Sequence, residues 1–120
     1  MFNNPIAGAG AGRHHGPGFV YVMHDPKNRQ VKIGYSMNPE ERLIYIQRDR
    51  PDTTLVNSVP ANEMNRAETA AQHAVEKHLG MHKIARNATD WYHLPRNVTA
   101  DRVFDRVRRA VRYFNTRHRH

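Results

Sequence analysis

The alternation of apolar and polar positions predicts a β-hairpin near the start of the chain. Residues 18–24, GFVYVMH, form an apolar run with β-branched and aromatic members, and residues 31–36, VKIGYS, form a second one. Residues 25–30, DPKNRQ, contain the Asp-Pro and Asn signals that are typical of a turn. The pattern therefore predicts two antiparallel strands joined by a short loop.

The segment that follows this hairpin has the signals of a short helix at residues 38–50. Asn38 is a candidate N-cap, Pro39 suits the first helical position, and Glu40 and Glu41 suit the positive end of the helix dipole. The candidates for its buried face are Leu43 and Ile46, with Ile44 as a further possibility.

Two further helices are predicted in the second half of the chain. Residues 62–80 are rich in Ala, Glu and Lys and end at Gly80, a natural helix stop. Residues 99–114 have the periodicity of an amphipathic helix. Core positions are expected at Met64, Ala67, Ala71, Val75 and Leu79 in the first of these helices, and at Val103, Phe104, Val107, Val111 and Phe114 in the second.

The order of the elements predicts an α+β fold. A third strand is expected at 53–60 and a short strand or turn at 89–95, which gives a small three-stranded antiparallel sheet flanked by helices, plus the C-terminal amphipathic helix. By composition, residues 1–17 are interpreted as a disordered Gly-rich lead-in, 18–96 as one folded domain, and 97–120 as a basic helix and tail.

The positive net charge of the chain indicates which class of partner it binds. The formal net charge is +8, and residues 97–120 carry seven Arg against two Asp. Such a balance favours a polyanion, above all nucleic acid, as partner. The lack of Cys excludes disulfides and thiolate metal sites and suggests an intracellular location, and no apolar run is long enough to cross a membrane. His78 and His82 have the spacing of zinc ligands, but Gly80 between them is expected to break the helix.

Four short motifs follow one another along most of the chain. GFVY ends at Tyr21, KIG occupies residues 32–34, Arg42 follows Gly34 by eight residues, and TDWYHL occupies residues 89–94. In this order and spacing the motifs resemble the GIY-YIG endonuclease superfamily, and in particular the phage and microbial branch whose second motif reads Lys-Ile-Gly. The resemblance implies a hydrolase that cuts nucleic-acid phosphodiester bonds, with DNA as the expected substrate.

The side chains in these motifs suit that chemistry. Tyr21 could deprotonate or orient a water, or relay its proton, and it needs a nearby cation to do so near neutral pH. Lys32 could supply the cation, because both residues can point to one face of the hairpin. Arg42 can bind phosphate oxygens bidentately, and Gly34 leaves room for a close approach. Tyr35 is either a second hydroxyl of the site or a packing residue.

The resemblance also implies a divalent metal, Mg²⁺ or Mn²⁺, held by a Glu on a later helix. Hard cations prefer oxygen and often use only one or two carboxylates. Glu68 lies in RAETAAQH, which is similar to a segment of the same branch, whereas Glu76 has the better spacing to Trp91. Glu68 is preferred as the metal ligand, and Glu76 stays the alternative.

The C-terminal helix offers a second charged surface. Its arginines could hold a nucleic-acid backbone without reading sequence. The alternative to an enzyme is a non-catalytic nucleic-acid-binding module that uses the same pocket and tail. A homodimer or a partner protein could instead dock on Val103, Val107 and Val111 of this helix. The candidate nucleic-acid-binding residues are Arg102, Arg106, Arg109 and Arg112.

Overall fold

The two apolar runs at the start of the chain form the predicted hairpin, β1 (Gly18–Asp25) and β2 (Gln30–Ser36). Both strands belong to the part of the chain that the computed structural model describes, residues 15–85 and 90–118. The other elements follow in the expected order. They are α1 (Pro39–Ile46), β3 (Thr54–Ala61), α2 (Met64–Leu79), β4 (Trp91–His93) and α3 (Ala100–Arg117).

The α+β class and the antiparallel sheet are confirmed, and the sheet has one strand more than expected. Its strand order is β3-β1-β2-β4, with every pair antiparallel. The fourth strand arises because residues 91–93, expected as a short strand or a turn, pair with Gln30–Lys32 of β2. Beyond this pairing, Ile33 N donates to the backbone oxygen of Asp90 at 3.1 Å. In the described part of the chain β4 does not extend along the second half of β2, so other elements can approach that half of the strand.

The first helix begins as its sequence predicts. The Asn38 side chain accepts a hydrogen bond from Glu41 N at 3.2 Å, and Pro39 occupies the first turn. Leu43 and Ile46 are half-buried, but Ile44 is 65% exposed. Ile44 differs from expectation because so short a helix turns only a narrow face to the sheet.

The core lies between one face of the sheet and the two longer helices. Apolar side chains of β1 and β2 meet those of α2 and α3 there. All five positions of the predicted α3 stripe are buried, and Val103, Val107 and Val111 have no exposed surface. These valines are thus packed inside the domain and are not available on its surface, while a homodimer or partner protein on this helix stays a prediction. The other members of the core include Val20, Val22, Val31, Ile33, Met64, Ala67, Ala71, Val75 and Tyr92.

The ends of the predicted segments are only partly described. Positions 15–17 of the expected lead-in are described, and there Gly16 O accepts a hydrogen bond from Met64 N at 2.9 Å. Residues 1–14 lie outside the described part, and the predicted domain boundaries stay predictions. Gly80 ends α2 with a φ of 62°, as its left-handed preference predicts. No helix in the described ranges has the length and hydropathy needed to span a bilayer.

Candidate active site

A polar cavity opens where β2 ends and α1 begins. Its volume is about 360 Å³. The hairpin, the β2–α1 junction, both neighbouring helices and the residue before β4 all contribute to its walls. The lining residues are Tyr21, Lys32, Tyr35, Ser36, Met37, Arg42, Met64, Glu68 and Asp90. All five predicted catalytic residues therefore lie around one cavity, although no more than two of them are close in sequence.

Tyr21 is placed by its pairing across the hairpin. It lies opposite Gly34 in the strand register and is 1% exposed. The space above Gly34 is filled by the Tyr21 ring. It is not left open for a phosphate as the sequence suggested, because the tyrosine folds across its cross-strand neighbour.

Arg42 is the cation that contacts Tyr21. Burial raises the pKa of Tyr21 to about 12, against the opposing effect of the Arg42 guanidinium, which is hydrogen-bonded to the tyrosine side chain. The expected pairing of Tyr21 with Lys32 is replaced by this contact, since α1 brings Arg42 over the hairpin. The phenol is therefore protonated near neutral pH and acts as a hydrogen-bonding group there.

Lys32 forms an ion pair with Asp90, an acidic residue 58 positions later in the sequence. Its Nζ lies 3.3 Å from Asp90 Oδ2, and the residue is 6% exposed. Gln72 of α2 fastens the same carboxylate, donating to Asp90 Oδ1 at 3.1 Å and to Ile33 O at 3.3 Å. Lys32 is thus fixed at the cavity wall by Asp90, and the Asp90 carboxylate is positioned in turn by Gln72, which also bonds to β2.

Glu68 is a buried carboxyl group that no protein donor contacts in the described part of the chain. It is 8% exposed and lies on the cavity wall. Burial and the nearby charge of Asp90 raise the pKa of Glu68 to about 8, while Lys32 and Lys83 oppose the rise. A buried carboxyl without a donor is costly in its ionised form, and a bound cation would relieve that cost.

Glu76, the alternative metal ligand, lies away from the cavity. It is exposed and accepts a hydrogen bond from the Tyr92 hydroxyl at 2.7 Å. Burial and this bond raise the pKa of Tyr92. The two glutamates are two helical turns apart, and of the two only Glu68 lines the cavity.

Tyr35 reaches the cavity from the end of β2. Burial raises the pKa of its hydroxyl, and the negative charges of Glu68 and Asp90 raise it further. The ring also packs against the hydrophobic core. Both interpretations of Tyr35, a site hydroxyl and a packing residue, therefore have support in its position.

The cavity suits a hard cation better than zinc. Its potential ligands are oxygens, and they come from the Glu68 and Asp90 carboxylates and from tyrosine and serine hydroxyls. Within residues 15–85 and 90–118 there is no cluster of three or more His, Asp or Glu side chains that could hold a metal ion. A cation here would therefore depend on Glu68, at most one further carboxylate, and water or phosphate oxygens.

The arginines predicted to bind nucleic acid separate into two groups. Arg106 and Arg109 line a groove between α2 and α3, while Arg102 and Arg112 are exposed outside it. Asp105 pairs with Arg109, with Nε to Oδ2 at 3.2 Å, and also with Arg108. The helix thus carries a basic surface in which some charge is already paired.

Two residues of the site were missed from the sequence. Asp90 stands inside the TDWYHL motif, so a signal is present, but the motif alone does not show which of its side chains enters the site. Gln72 follows Glu68 by one turn on the same face of α2, which is the spacing expected of a second side chain at one cavity. Both act on Lys32 through the contacts described above.

Comparison with known families gives a match over most of the chain. A model of the T5orf172 domain matches residues 18–112, and the chain belongs to this family. The T5orf172 domain is found in phage-associated and related nucleases, which gives the protein a nuclease or nucleic-acid-related association. No curated protein and no solved structure gives a match to the chain.

Proposed function

We propose that the protein is a GIY-YIG-like endonuclease that hydrolyses phosphodiester bonds of DNA with Mg²⁺ or Mn²⁺. One observation carries the proposal. A buried carboxyl, Glu68, which accepts no hydrogen bond from any described residue, faces the same cavity as Tyr21, Lys32 and Arg42. A carboxylate for a cation, a guanidinium for phosphate and hydroxyls for water are the groups that phosphodiester hydrolysis requires.

Arg42 binds the scissile phosphate in this mechanism. Its guanidinium borders the cavity and can hold two phosphate oxygens, which stabilises the charge that develops on phosphorus. The same guanidinium holds the Tyr21 hydroxyl. Phosphate and tyrosine are thereby positioned by one side chain.

Tyr21 orients the attacking water. With a pKa of about 12, its hydroxyl is protonated near neutral pH and can both donate and accept a hydrogen bond. It can therefore accept a proton from the water only if it gives up its own proton at the same time. Lys32, held by Asp90, contributes positive charge at the same cavity. The water oxygen forms the new bond to phosphorus as its proton passes through the Tyr21 hydroxyl to solvent. The bond between phosphorus and the leaving sugar oxygen breaks, and that oxygen takes up a proton from solvent.

Glu68 would hold the divalent cation, and water and phosphate oxygens would supply its other ligands. When bound, such an ion supplies Lewis-acid stabilisation of phosphate charge and a more acidic water. Glu76 is not chosen as the ligand, because its carboxylate is engaged by Tyr92 away from the cavity. An intracellular location follows from the substrate and belongs to the proposal.

A non-catalytic nucleic-acid-binding module is the second candidate. It is favoured by the ion pair of Lys32 with Asp90, which already neutralises one cation of the site. In that case the cavity would bind phosphate without cutting it. A second copy or partner protein would then have to contact the exposed polar side of α3, because its apolar stripe is buried.

Cleavage of supercoiled plasmid and of single-stranded DNA with Mg²⁺ or Mn²⁺ tests the proposal. The wild type should cut, and Tyr21→Phe, Arg42→Ala and Glu68→Gln should each lose at least about tenfold in rate. Glu76→Gln is the matched control, the same change on the same helix outside the cavity. No metal-dependent cutting by a folded wild type that still shifts DNA would establish the binding module instead.

A further inference from the structure

A second cavity, larger than the candidate active site, lies between α2 and α3. Its volume is about 490 Å³, and small side chains at Ala70, Ala74 and Ala110 leave the space open. Phe114 forms part of the floor and is itself 8% exposed. The groove is thus a depression between two packed helices, with its base in the hydrophobic core.

The rim of this groove is basic. Lys77 of α2 and Arg106, Arg109 and Arg117 of α3 all line it, and no carboxylate does so among the described residues. Asp105 engages Arg109 from outside the groove and its charge also acts on Arg106, while Arg117 forms no ion pair with a carboxylate in the described part of the chain. The excess of positive charge on the rim makes an anionic occupant the complementary one.

An exposed aromatic ring stands on the same rim. Tyr113 is 64% exposed, and its hydroxyl accepts a hydrogen bond from Arg117 Nη1 at 3.2 Å. The Arg117 guanidinium lies over the ring at 5.6 Å from its centroid, which orients the tyrosine. A large aromatic ring held in solvent beside cations is what an unpaired base can stack upon.

We propose that the α2–α3 groove binds a single-stranded segment of nucleic acid, with its phosphates on Arg106 and Arg117 and one base on Tyr113. The proposal rests on the proposed function, which makes nucleic acid the partner, and it adds a second contact with that partner on another part of the domain. Single strands fit better than a duplex, since a duplex keeps its bases away from an exposed ring. The groove would hold the strand without taking part in the chemistry.

The test measures binding by fluorescence anisotropy with the full chain, in EDTA so that no cutting occurs. The probes are a labelled single-stranded oligonucleotide, its duplex, and an abasic strand of equal length. Tyr113→Ala should weaken binding of the single strand by about fivefold or more and leave the abasic strand unaffected, because only stacking is lost. Tyr113→Phe keeps the ring and should bind as the wild type does.

Salt dependence tests the phosphate contacts. Arg106→Ala with Arg117→Ala should reduce the slope of log affinity against log salt for the single strand by about 1.4, the value for two lost phosphate contacts. Arg96→Ala, at an exposed arginine before α3 that does not line the groove, is the control and should change the slope less than the double variant does.

The inference is overturned if Tyr113→Ala binds the single strand as tightly as the wild type. It is also overturned if the variant loses affinity equally for all three probes, or if Arg96→Ala changes the slope as much as the double variant of Arg106 and Arg117. These outcomes would leave a wild type that still cuts DNA, and so would not touch the proposed function. A wild type that neither binds nor cuts nucleic acid would instead remove both.

Discussion

The ring of Tyr21 occupies the space that a Cβ atom at Gly34 would need, since such an atom would lie 2.6 Å from Cζ of the tyrosine. The two residues are partners in the β1–β2 register. The glycine of the Lys-Ile-Gly motif thus permits the buried position of the tyrosine of the first motif. Two motifs that are separate in sequence form one packing unit.

Gly34→Ala is therefore expected to displace the Tyr21 hydroxyl and abolish most cleavage. Overpacking of this kind costs about 1–3 kcal/mol of stability, so thermal unfolding should show a folded but less stable protein. The measurement is a double-mutant cycle with Tyr21→Phe in the plasmid assay. If the glycine acts through the hydroxyl, the two losses will not add; additive losses would mean that Gly34 serves another purpose.

The pKa of Glu68, raised to about 8 from an ordinary value of 4.5, predicts a dependence of stability on pH. Between these values the folded protein binds more protons than the unfolded chain. The free energy of unfolding should therefore fall as pH rises from about 5 to 8, with no penalty from this group below 4.5. At about 1.4 kcal/mol per pKa unit the full penalty is about 5 kcal/mol at most.

Glu68→Gln removes this dependence and serves as the comparison. Chemical denaturation at several pH values should show the unfolding free energy of the variant rising relative to that of the wild type as pH rises. The histidines are the same in both proteins, so their titration does not affect this comparison. Mg²⁺ or Mn²⁺ should stabilise the wild type more at pH 8 than at pH 5, because the cation favours the ionised carboxylate. Equal pH profiles for the two proteins would contradict a perturbed Glu68.

Much of this arrangement could be predicted from the sequence because it depends on short-range rules. The hairpin and the α1 N-cap follow from alternation and turn chemistry within a few residues. The shared face of Tyr21 and Lys32 follows from strand geometry. The contact of Arg42 with Tyr21 does not, because it depends on the angle at which α1 crosses the hairpin.

The position of Asp90 could not be predicted for a related reason. It is 58 residues from Lys32 in sequence, and the three-residue strand β4 brings it there. So short a strand has almost no pattern of its own. The choice between Glu68 and Glu76 was open because both lie near one face of α2, and only tertiary packing decides which turn meets β2.

Asp90 is predicted to act through Lys32, as a positioning residue. Asp90→Asn removes the charge that holds the ammonium while keeping a side chain that Gln72 can contact. We expect a loss in rate of up to about a hundredfold, the cost of a group misplaced by about 1 Å. Single-turnover cleavage by Asp90→Asn, Lys32→Met and the double variant should show strongly non-additive losses. Full independence of the two losses would assign Asp90 a separate role, such as that of a metal ligand.

Substitutions of Glu76 and Glu68 are predicted to have opposite effects, the first on stability and the second on cleavage. Glu76→Ala leaves the buried Tyr92 hydroxyl without its acceptor, which should cost about 1–3 kcal/mol of unfolding free energy. Cleavage at a temperature where the variant stays folded should be within about twofold of the wild type, because the cavity is untouched. Glu68→Ala should show the reverse, with cleavage lost and stability at pH 8 kept or raised, since the unfavourable buried charge is gone. Denaturation curves and metal-dependent cutting on the same two preparations decide the matter, and a Glu76 variant that stays fully stable but no longer cuts would move the metal site to Glu76.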